Sequence, residues 1–449
     1  MQRSLSPALL FTLRRSALAA ALLFAAAGAA QAQGIDAAAL AALDQRIAAV
    51  GPKLVEWRRD IHANPELSGQ EARTAKLVAD HLRKLGLEVQ TGVGGHGVVG
   101  VLKGALPGKT VALRADIDAL PVAELTGLPF ASKAKGIQMG KESAVMHACG
   151  HDGHTAILMG TAELLTGMKS QLAGTVKFIF QPAEEGYSEM PAANTSWGAK
   201  AMVEQGVLNQ VDAAFGLHIS PALPVGMVGY RSGPLLAGAD TVRIKVTGKQ
   251  THGAFPWAGV DPIVASAQVV TGLQTIVSRQ LNISNEPAVL TIGAINGGNR
   301  ENIVPESVEM IGTLRTFDEE MRSEAKQRIT TTAQNIAAAS GAKAEVSFGP
   351  SAYPVTTNPA ALTEASLPAL RLATGGKVML IPKISGSEDF SEFQKKVPGF
   401  FYILGALPAG KTPATAAPNH SPAFDFNEDA LPVGVRTLST LALDFLARK

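Results

Sequence analysis

The sequence contains one cysteine, Cys149, among its 449 residues. A single thiol cannot form an intramolecular disulfide, so no disulfide framework supports the fold. Charged residues are also few, at 17%, while hydrophobic residues reach 46%. This balance argues against global disorder and allows a large core. The length suits two or three domains of roughly 100–200 residues each.

The N-terminus lacks an apolar run long enough for a lasting membrane span. The short apolar run 17–27 follows Arg3, Arg14 and Arg15 and precedes the small-residue pattern at 30–32. This arrangement is typical of a secretory signal peptide, so we expect residues 1–32 to be removed and the mature protein to be periplasmic or secreted. An uncleaved anchor is the alternative. The adjacent Arg14 and Arg15 leave a twin-arginine export route open.

Neither sign of charge is in excess, with 40 basic and 38 acidic side chains and a net charge of +2. Loss of the three arginines in the signal segment leaves the mature chain near −1. We therefore expect no nucleic-acid partner, and no membrane partner once the signal is removed. An exported protein folds in an oxidising compartment, where an unpaired thiol needs a reason to persist. A bond to a metal would supply that reason.

The elements predicted from apolar spacing fall into two groups. Strand-like runs alternate with helical stretches over residues 33–225 and again over 357–449. This order predicts an α/β fold with a mixed, largely parallel sheet and helices on both faces. Between them, residues 226–356 follow a β-α-β-β-α-β order, which is the ferredoxin-like α+β arrangement. We interpret that span as a second domain inserted into the first.

Three histidines surround the cysteine, in the segment 146–154. Thiolate and imidazole are the ligands that hold zinc and related transition metals, so the segment predicts a metal site. A buried, chemically inert cysteine is the alternative. His147, His151 and His154 cannot all bind one metal together with Cys149. The spacing alone does not choose between His151 and His154.

Polar clusters follow three predicted strands, and such strand ends are where α/β sheets form their sites. Asp116 and Asp118 follow the run 111–114, Glu184 and Glu185 follow 176–180, and His218 follows 213–217. Of two adjacent carboxylates in a loop, one can bind a metal while the other takes a proton from a bound water. A solvated acidic turn is the alternative for the Glu-Glu pair.

An ordered set of motifs resembles the metal-dependent amidohydrolases of the aminoacylase and carboxypeptidase type. The nearest branch is that of the hippurate hydrolases and the indole-acetyl-amino-acid hydrolases, and the similarity runs from about residue 50 to the C-terminus. The motifs lie at residues 62–66, 113–121, 146–155, 181–186, 297–298, 302–305, 386–390 and 420–422.

The resemblance implies a dinuclear metal-hydrolase domain whose general base is Glu184. It implies two divalent ions per subunit, with zinc as the first expectation and manganese, cobalt or nickel as alternatives. Cys149 would bridge the two ions. The implied ligands are Cys149, His151, Glu185, His218 and His420.

The resemblance also assigns supporting roles outside the ligand set. Asp118 matches a carboxylate that orients a metal ligand. His252 matches a histidine of a lid and dimerisation domain that stabilises the oxyanion in the neighbouring subunit's site, and a homodimer through residues 226–356 is the implied partner. Asn302 and Gly386 match substrate-binding positions. The chain departs from the family at Trp257, where a histidine is usual, and an alanine of the family is replaced by glycine at position 253.

The implied activity is hydrolysis of the amide bond of small N-acyl amino acids, such as hippurate-like, N-acetyl or aryl-acyl conjugates. A dipeptidase or carboxypeptidase would use the same site with a different pocket. A metal- or ligand-binding protein without catalysis is the third interpretation, and an intact Glu184 argues against it, because a pure binder has no use for a free base.

Overall fold

The computed structural model describes residues 37–188 and 195–448, and the predicted signal segment 1–32 lies outside them. Its α-helices are α1 (Ala37–Ala63), α2 (Ala72–Lys84), α3 (His151–Thr166), α4 (Gly198–Glu204), α5 (Pro262–Thr275), α6 (Glu319–Ala339), α7 (Ala360–Thr374), α8 (Phe390–Gln394) and α9 (Ala430–Ala447). Its strands are β1 (Glu88–Val93), β2 (Gly97–Lys103), β3 (Leu106–Asp116), β4 (Lys135–Gln138), β5 (Lys141–Ala144), β6 (Ala173–Gln181), β7 (Ala213–Ser220), β8 (Val228–Tyr230), β9 (Gly233–Leu236), β10 (Gly238–Thr247), β11 (Thr251–His252), β12 (Ala288–Asn296), β13 (Ile303–Val304), β14 (Ser307–Thr316), β15 (Lys343–Tyr353), β16 (Thr356–Asn358), β17 (Val378–Leu380) and β18 (Gly399–Gly405).

Eight strands form one mixed sheet in the order β1-β2-β6-β3-β7-β18-β8-β17. Its centre, β6-β3-β7-β18, is parallel. Alternate residues of β3 enter different cores: Val111 and Leu113 pack with α1, α3 and α9, whereas Ala112 packs with α4 and α8. Both faces of the sheet are therefore covered, as parallel strands require, and the predicted α/β fold is confirmed.

A four-stranded antiparallel sheet in the order β12-β14-β10-β15 carries helices α5 and α6 and has its own core. In β10, Val242, Ile244 and Val246 are buried while Arg243 and Lys245 are exposed, which is the alternation of a strand with one covered face. The predicted ferredoxin-like arrangement is confirmed. The predicted span 226–356 also includes β8, although β8 pairs within the large sheet. A strand of three residues is too short to show a period in the sequence, so this boundary could not be predicted from spacing.

The inserted domain is attached through two neighbouring crossings. Its first strand, β10, pairs with its last, β15, and Ala239 lies opposite Tyr353 at the point where both leave the domain. The first helix of this domain, α5, is α-helical only to Thr275 and continues as a π-helix over Ile276–Gln280. Helix α9 is apolar enough to cross a membrane, but 67% of it is buried inside the protein, as in a core helix.

Candidate metal centre

Cys149 belongs to two groups of side chains that could each hold a metal ion. One group adds His151 and His218, and the other adds Glu185 and His420. Within each group the ligand atoms lie within 4.8 Å of one another. Gly150, with a φ of 99°, turns the chain from Cys149 into helix α3, so His151 begins that helix. The structure thus brings all five predicted ligands together around one shared sulphur.

The sulphur lies between two imidazoles that come from opposite ends of the sequence. Sγ of Cys149 is 3.2 Å from Nε2 of His218 and 3.3 Å from Nε2 of His420. The same His420 nitrogen lies 3.0 Å from Oε1 of Glu185, without the alignment of a hydrogen bond. Zinc–ligand bonds of about 2.0–2.3 Å would fit between atoms at these separations.

The outer ring nitrogens of two ligand histidines are fixed by main-chain carbonyls. Nδ1 of His151 lies 2.9 Å from the carbonyl oxygen of Asp118, and Nδ1 of His218 lies 2.8 Å from that of Ile219. A carbonyl only accepts, so Nδ1 carries the hydrogen in both rings and Nε2 is left as the metal-binding atom. Nε2 of His151 is buried and has no hydrogen-bond partner among the described residues.

His154 is held differently, although it lies one helical turn from His151. Its Nδ1 lies 2.6 Å from Oδ1 of Asp116, and its Nε2 accepts the N–H of Ile219 at 2.8 Å. Both ring nitrogens are occupied, so His154 has no lone pair for a metal. The spacing did not decide which of His151 and His154 could bind a metal; of the two, only His151 has a free ring nitrogen.

The charges around the site suit cations. Burial raises the pKa of the Cys149 thiol, and the carboxylates of Glu185 and Glu184 raise it further. Burial alone would lower the pKa of His151, but Asp116 and Asp118 outweigh it and raise the pKa to about 10. A negative field that holds a proton so strongly also attracts a metal ion, which would stabilise the thiolate in turn. The residues present therefore fit two divalent ions.

Glu184 lies beside the ligands and is only 6% exposed. Its Oε2 is 4.0 Å from Nε2 of His151. Burial raises the pKa of the Glu184 carboxyl well above its ordinary value, and the nearby carboxylates of Glu388 and Glu185 add to the rise. A carboxylate with a raised pKa is a stronger proton acceptor, as a general base at neutral pH requires.

The loop that carries Glu184 is held through its main chain. Ala183 has a φ of 51°, a conformation that costs a residue with a side chain about 1–2 kcal/mol. Its N–H donates to the buried Glu71 at 2.8 Å. The N–H of Glu185 donates to Oδ2 of Asp118 at 3.0 Å. Asp118 therefore supports two ligands, because its carbonyl fixes His151 and its carboxylate fixes the main chain of Glu185.

A buried ion network that the sequence reasoning did not identify lies behind Glu184. Arg114 donates to Asp116 at 2.7 Å, to Asp389 at 2.9 Å and to Gln181 at 2.8 Å. Gln181 in turn donates to Asp389 at 2.8 Å. An arginine inside the otherwise apolar stretch 111–115 is the signal that could have revealed this network, since a buried guanidinium needs carboxylate partners.

A second missed network joins the segments that carry two of the ligands. Arg58 on α1 donates to Asp152 at 3.0 Å, next to His151, and to Asp425 at 3.0 Å, in the loop after His420. His62, from one of the quoted motifs, lies 2.8 Å from the same Asp152. This network ties the N-terminal helix to both sides of the metal-binding cluster.

The lid residues lie apart from this cluster. His252 is exposed on β11, and its Nδ1 accepts the N–H of Ala254 at 3.0 Å; among the described contacts, none joins it to the five ligands. Gly253 donates to the carbonyl of Asn302, and a Cβ on it would come within 3.0 Å of the Asn302 main chain. A side chain at position 253 would therefore require the Asn302 main chain to shift by a few tenths of an ångström. Trp257, the other departure, is 78% exposed.

Gly386, a predicted substrate contact, lies at the joint between the domains. Its carbonyl accepts the N–H of Ala237 at 2.9 Å, just before β10 begins. A Cβ at position 386 would meet only Ile384, at 3.7 Å. The contact places Gly386 beside the crossing, and a role in substrate binding remains a prediction.

Comparisons with known proteins agree on one family. Residues 112–444 match the model of peptidase family M20/M25/M40. The chain is 42% identical over 393 residues to thermostable carboxypeptidase 2 of Saccharolobus solfataricus, covering 87% of this chain and 95% of that protein. It is 41% identical to an N-acetylcysteine deacetylase of Bacillus subtilis, covering 87% and 96%. The crystal structure of Bacillus subtilis YXEP, a dinuclear metal binding peptidase, matches with a TM-score of 0.73 at 38% identity, covering 89% and 99%.

Proposed function

The chain belongs to peptidase family M20/M25/M40, and we propose that it hydrolyses the amide bond of N-acyl amino acids, with Glu184 as general base. The family confirms the resemblance seen in the motifs and makes the protein a metal-dependent hydrolase of amide or peptide bonds. The observation that carries the finer proposal is the placement of Glu184, which is buried beside His151 and Glu185 and lies outside both groups of side chains that include Cys149.

The proposed reaction assigns a task to each group. The two ions, held by Cys149, His151, Glu185, His218 and His420, would supply Lewis acidity at the site. Glu184 takes a proton from the attacking water and passes it to the leaving amine. His252, from a second copy of the chain, donates to the developing oxyanion. Asn302 and Gly386 contact the substrate from the lid and from the joint between the domains.

Zinc is the ion we propose first. One thiolate, three imidazoles and one carboxylate are ligands that zinc accepts in tetrahedral or five-coordinate geometry. Manganese, cobalt and nickel accept the imidazole and carboxylate ligands too, and a thiolate ligand favours zinc over manganese. Elemental analysis of the purified protein identifies the ion, and manganese as the only bound metal would contradict this choice.

The activity is tested with a panel of amides. We expect turnover of hippurate and N-acetyl amino acids by the metal-loaded protein, loss of turnover with a chelator and recovery when the metal is returned. Free dipeptides are the matched comparison, because they have the same scissile amide bond but carry a charged α-amine on the acyl group. Higher kcat/KM on dipeptides than on every N-acyl amino acid would contradict the proposed substrate class.

A peptidase is the second candidate function. The name of the Saccharolobus relative, a carboxypeptidase, supports this candidate, while the name of the Bacillus relative, a deacetylase, supports the first. The two activities share the metal centre and differ in what the pocket accepts at the acyl end. The same panel therefore decides between them.

We also propose that the protein is exported and that it dimerises through the inserted domain. Strand β12 is an edge of the lid sheet and exposes Val289 and Ile295, and helix α5 exposes Ile263 and Val264. Light scattering at micromolar concentration should give twice the chain mass, and a monomer would contradict the dimer. N-terminal sequencing of protein recovered outside the cytoplasm should start near residue 33, and a start at Met1 would contradict export with cleavage.

A further inference from the structure

Tyr353 is the last residue of the four-stranded sheet of the inserted domain (the lid sheet), just before the chain returns to the larger domain. It ends β15 and lies opposite Ala239 at the start of the lid. Residues 356–358 then form β16, which pairs with β9 outside the lid sheet. Tyr353 therefore lies at the joint where the inserted domain is attached to the larger one.

The hydroxyl of Tyr353 reaches the main chain of the general base. It donates to the carbonyl oxygen of Glu184 at 2.7 Å. Glu71 and Asp118 hold the peptide N–H groups on either side, at Ala183 and Glu185. Of these three side chains, Tyr353 alone comes from the inserted domain.

The tyrosine is a dependable donor in this position. Burial raises the pKa of Tyr353, and the carboxylates of Glu184 and Asp389 raise it further, so the hydroxyl keeps its proton. A carbonyl oxygen accepts only, which fixes the direction of the hydrogen bond. The contact therefore joins a lid residue to the main chain from which the base projects.

We propose that Tyr353 is a positioning residue that couples the attachment of the lid to the orientation of Glu184. The inference rests on the proposed role of Glu184 as base. With the hydroxyl in place, the 184–185 peptide is fixed from both the lid and the larger domain, so the base is aligned only when the lid sits correctly. Without the hydroxyl, the main chain around Glu184 keeps its hydrogen bonds to Glu71 and Asp118 but loses the hydrogen bond from the inserted domain.

The test compares Tyr353→Phe with the wild type in the full-length, metal-loaded protein. The ring stays and the hydroxyl goes, so the fold and the metal ligands are preserved. We expect kcat to fall roughly tenfold, the effect of losing one neutral hydrogen bond that aligns the base. The KM value should stay within about twofold of the wild type. The metal content should remain that of the wild type.

Tyr402→Phe is the matched control. Tyr402 is fully buried, and its hydroxyl bonds to Thr437 at 2.7 Å in the core of the larger domain. Its loss should lower the melting temperature and leave kcat unchanged. The assay uses whichever amide the wild type hydrolyses, so a failure of the proposed substrate class would not affect the comparison. An unchanged kcat in Tyr353→Phe, a loss of metal, or an equal fall in kcat in Tyr402→Phe would each overturn the inference.

Discussion

His154 donates Nδ1–H to Asp116 at 2.6 Å and accepts the main-chain N–H of Ile219 on its other nitrogen. The ring is therefore a fixed link between the ends of β3 and β7. His151, on the neighbouring turn of α3, keeps Nε2 free and buried beside Cys149. Two histidines three residues apart are thus held differently: both ring nitrogens of His154 are occupied, whereas His151 keeps one for the proposed metal centre.

This division predicts different outcomes for two alanine variants. His151→Ala should lose at least one of the two ions, because it removes a ligand. His154→Ala should keep both ions and lose about 1–3 kcal/mol of folding stability, since it leaves the N–H of Ile219 without its acceptor and removes one donor to the buried Asp116. Elemental analysis and denaturant unfolding measure the two effects. Loss of metal in His154→Ala together with full metal in His151→Ala would contradict the assignment.

Glu184→Gln should separate catalysis from metal binding. The amide cannot accept a proton from water, so kcat should fall at least 100-fold, within the range of about 10²–10⁴ for a lost general base. KM and metal content should change little. Glu185→Gln is the matched control, as it replaces a ligand and should lose metal. A Glu184→Gln protein that retains turnover would contradict the role of the base.

Stability should fall at alkaline pH because of His62. Burial alone would lower the pKa of His62, but hydrogen bonds to Asp152 and Glu124 raise it to about 9. A folded pKa above the ordinary value of about 6.5 stabilises the protonated protein, by about 3 kcal/mol at most. That stabilisation is complete below pH 6.5 and is lost as the pH rises through 9. The melting-temperature gap between wild type and His62→Gln should therefore narrow from pH 6.5 to 9.

His81→Gln is the control for this measurement. Burial lowers the pKa of His81, so its ring is neutral in both folded and unfolded protein above pH 6.5. The gap between wild type and this variant should stay constant over the same range. A constant gap for His62→Gln as well would show that His62 is not held in its charged form.

A comparison of Arg58 with Arg59 measures how much the buried network contributes to the free energy of unfolding. Both contact Glu428, but Arg58 is 1% exposed and also binds Asp152, whereas the Arg59 side chain is 50% exposed. Arg58→Met should cost about 3–5 kcal/mol, because Asp152 is left buried without its guanidinium. Arg59→Met should cost about 0–1 kcal/mol. Equal costs, measured by denaturant unfolding, would contradict the structural role of Arg58.

Much of the fold follows from apolar spacing along the chain. Strand β10 is predictable in this way, because one of its faces is buried and the other is exposed, and this alternation is visible in the sequence. Strand β17 pairs with β8 but is only three residues long, too short for a period to show. The end of α5 at Thr275 also carries no local signal, since residues 276–280 continue with helical spacing as a π-helix.

The site was less accessible to residue-by-residue reasoning. Its ligands come from the start of α3, the loop after β6, the strand β7 and a loop before α9. Whether these ligands lie close together depends on the order of strands in the sheet, which single motifs do not encode. The ligand set was therefore predicted from the family resemblance. The contacts of Arg114, Glu71 and Tyr353 are tertiary, joining residues far apart in the chain, so no spacing rule indicates them.

The central claim is that one sulphur serves two metal ions. Cys149 lies within reach of both ligand groups, so its removal should weaken both sites at once. The direct test is the metal content per chain of the wild type and of Cys149→Ala after dialysis against metal-free buffer. We predict two ions in the wild type and fewer than one in the variant. Two ions retained by Cys149→Ala, or a single ion in the wild type, would contradict the account.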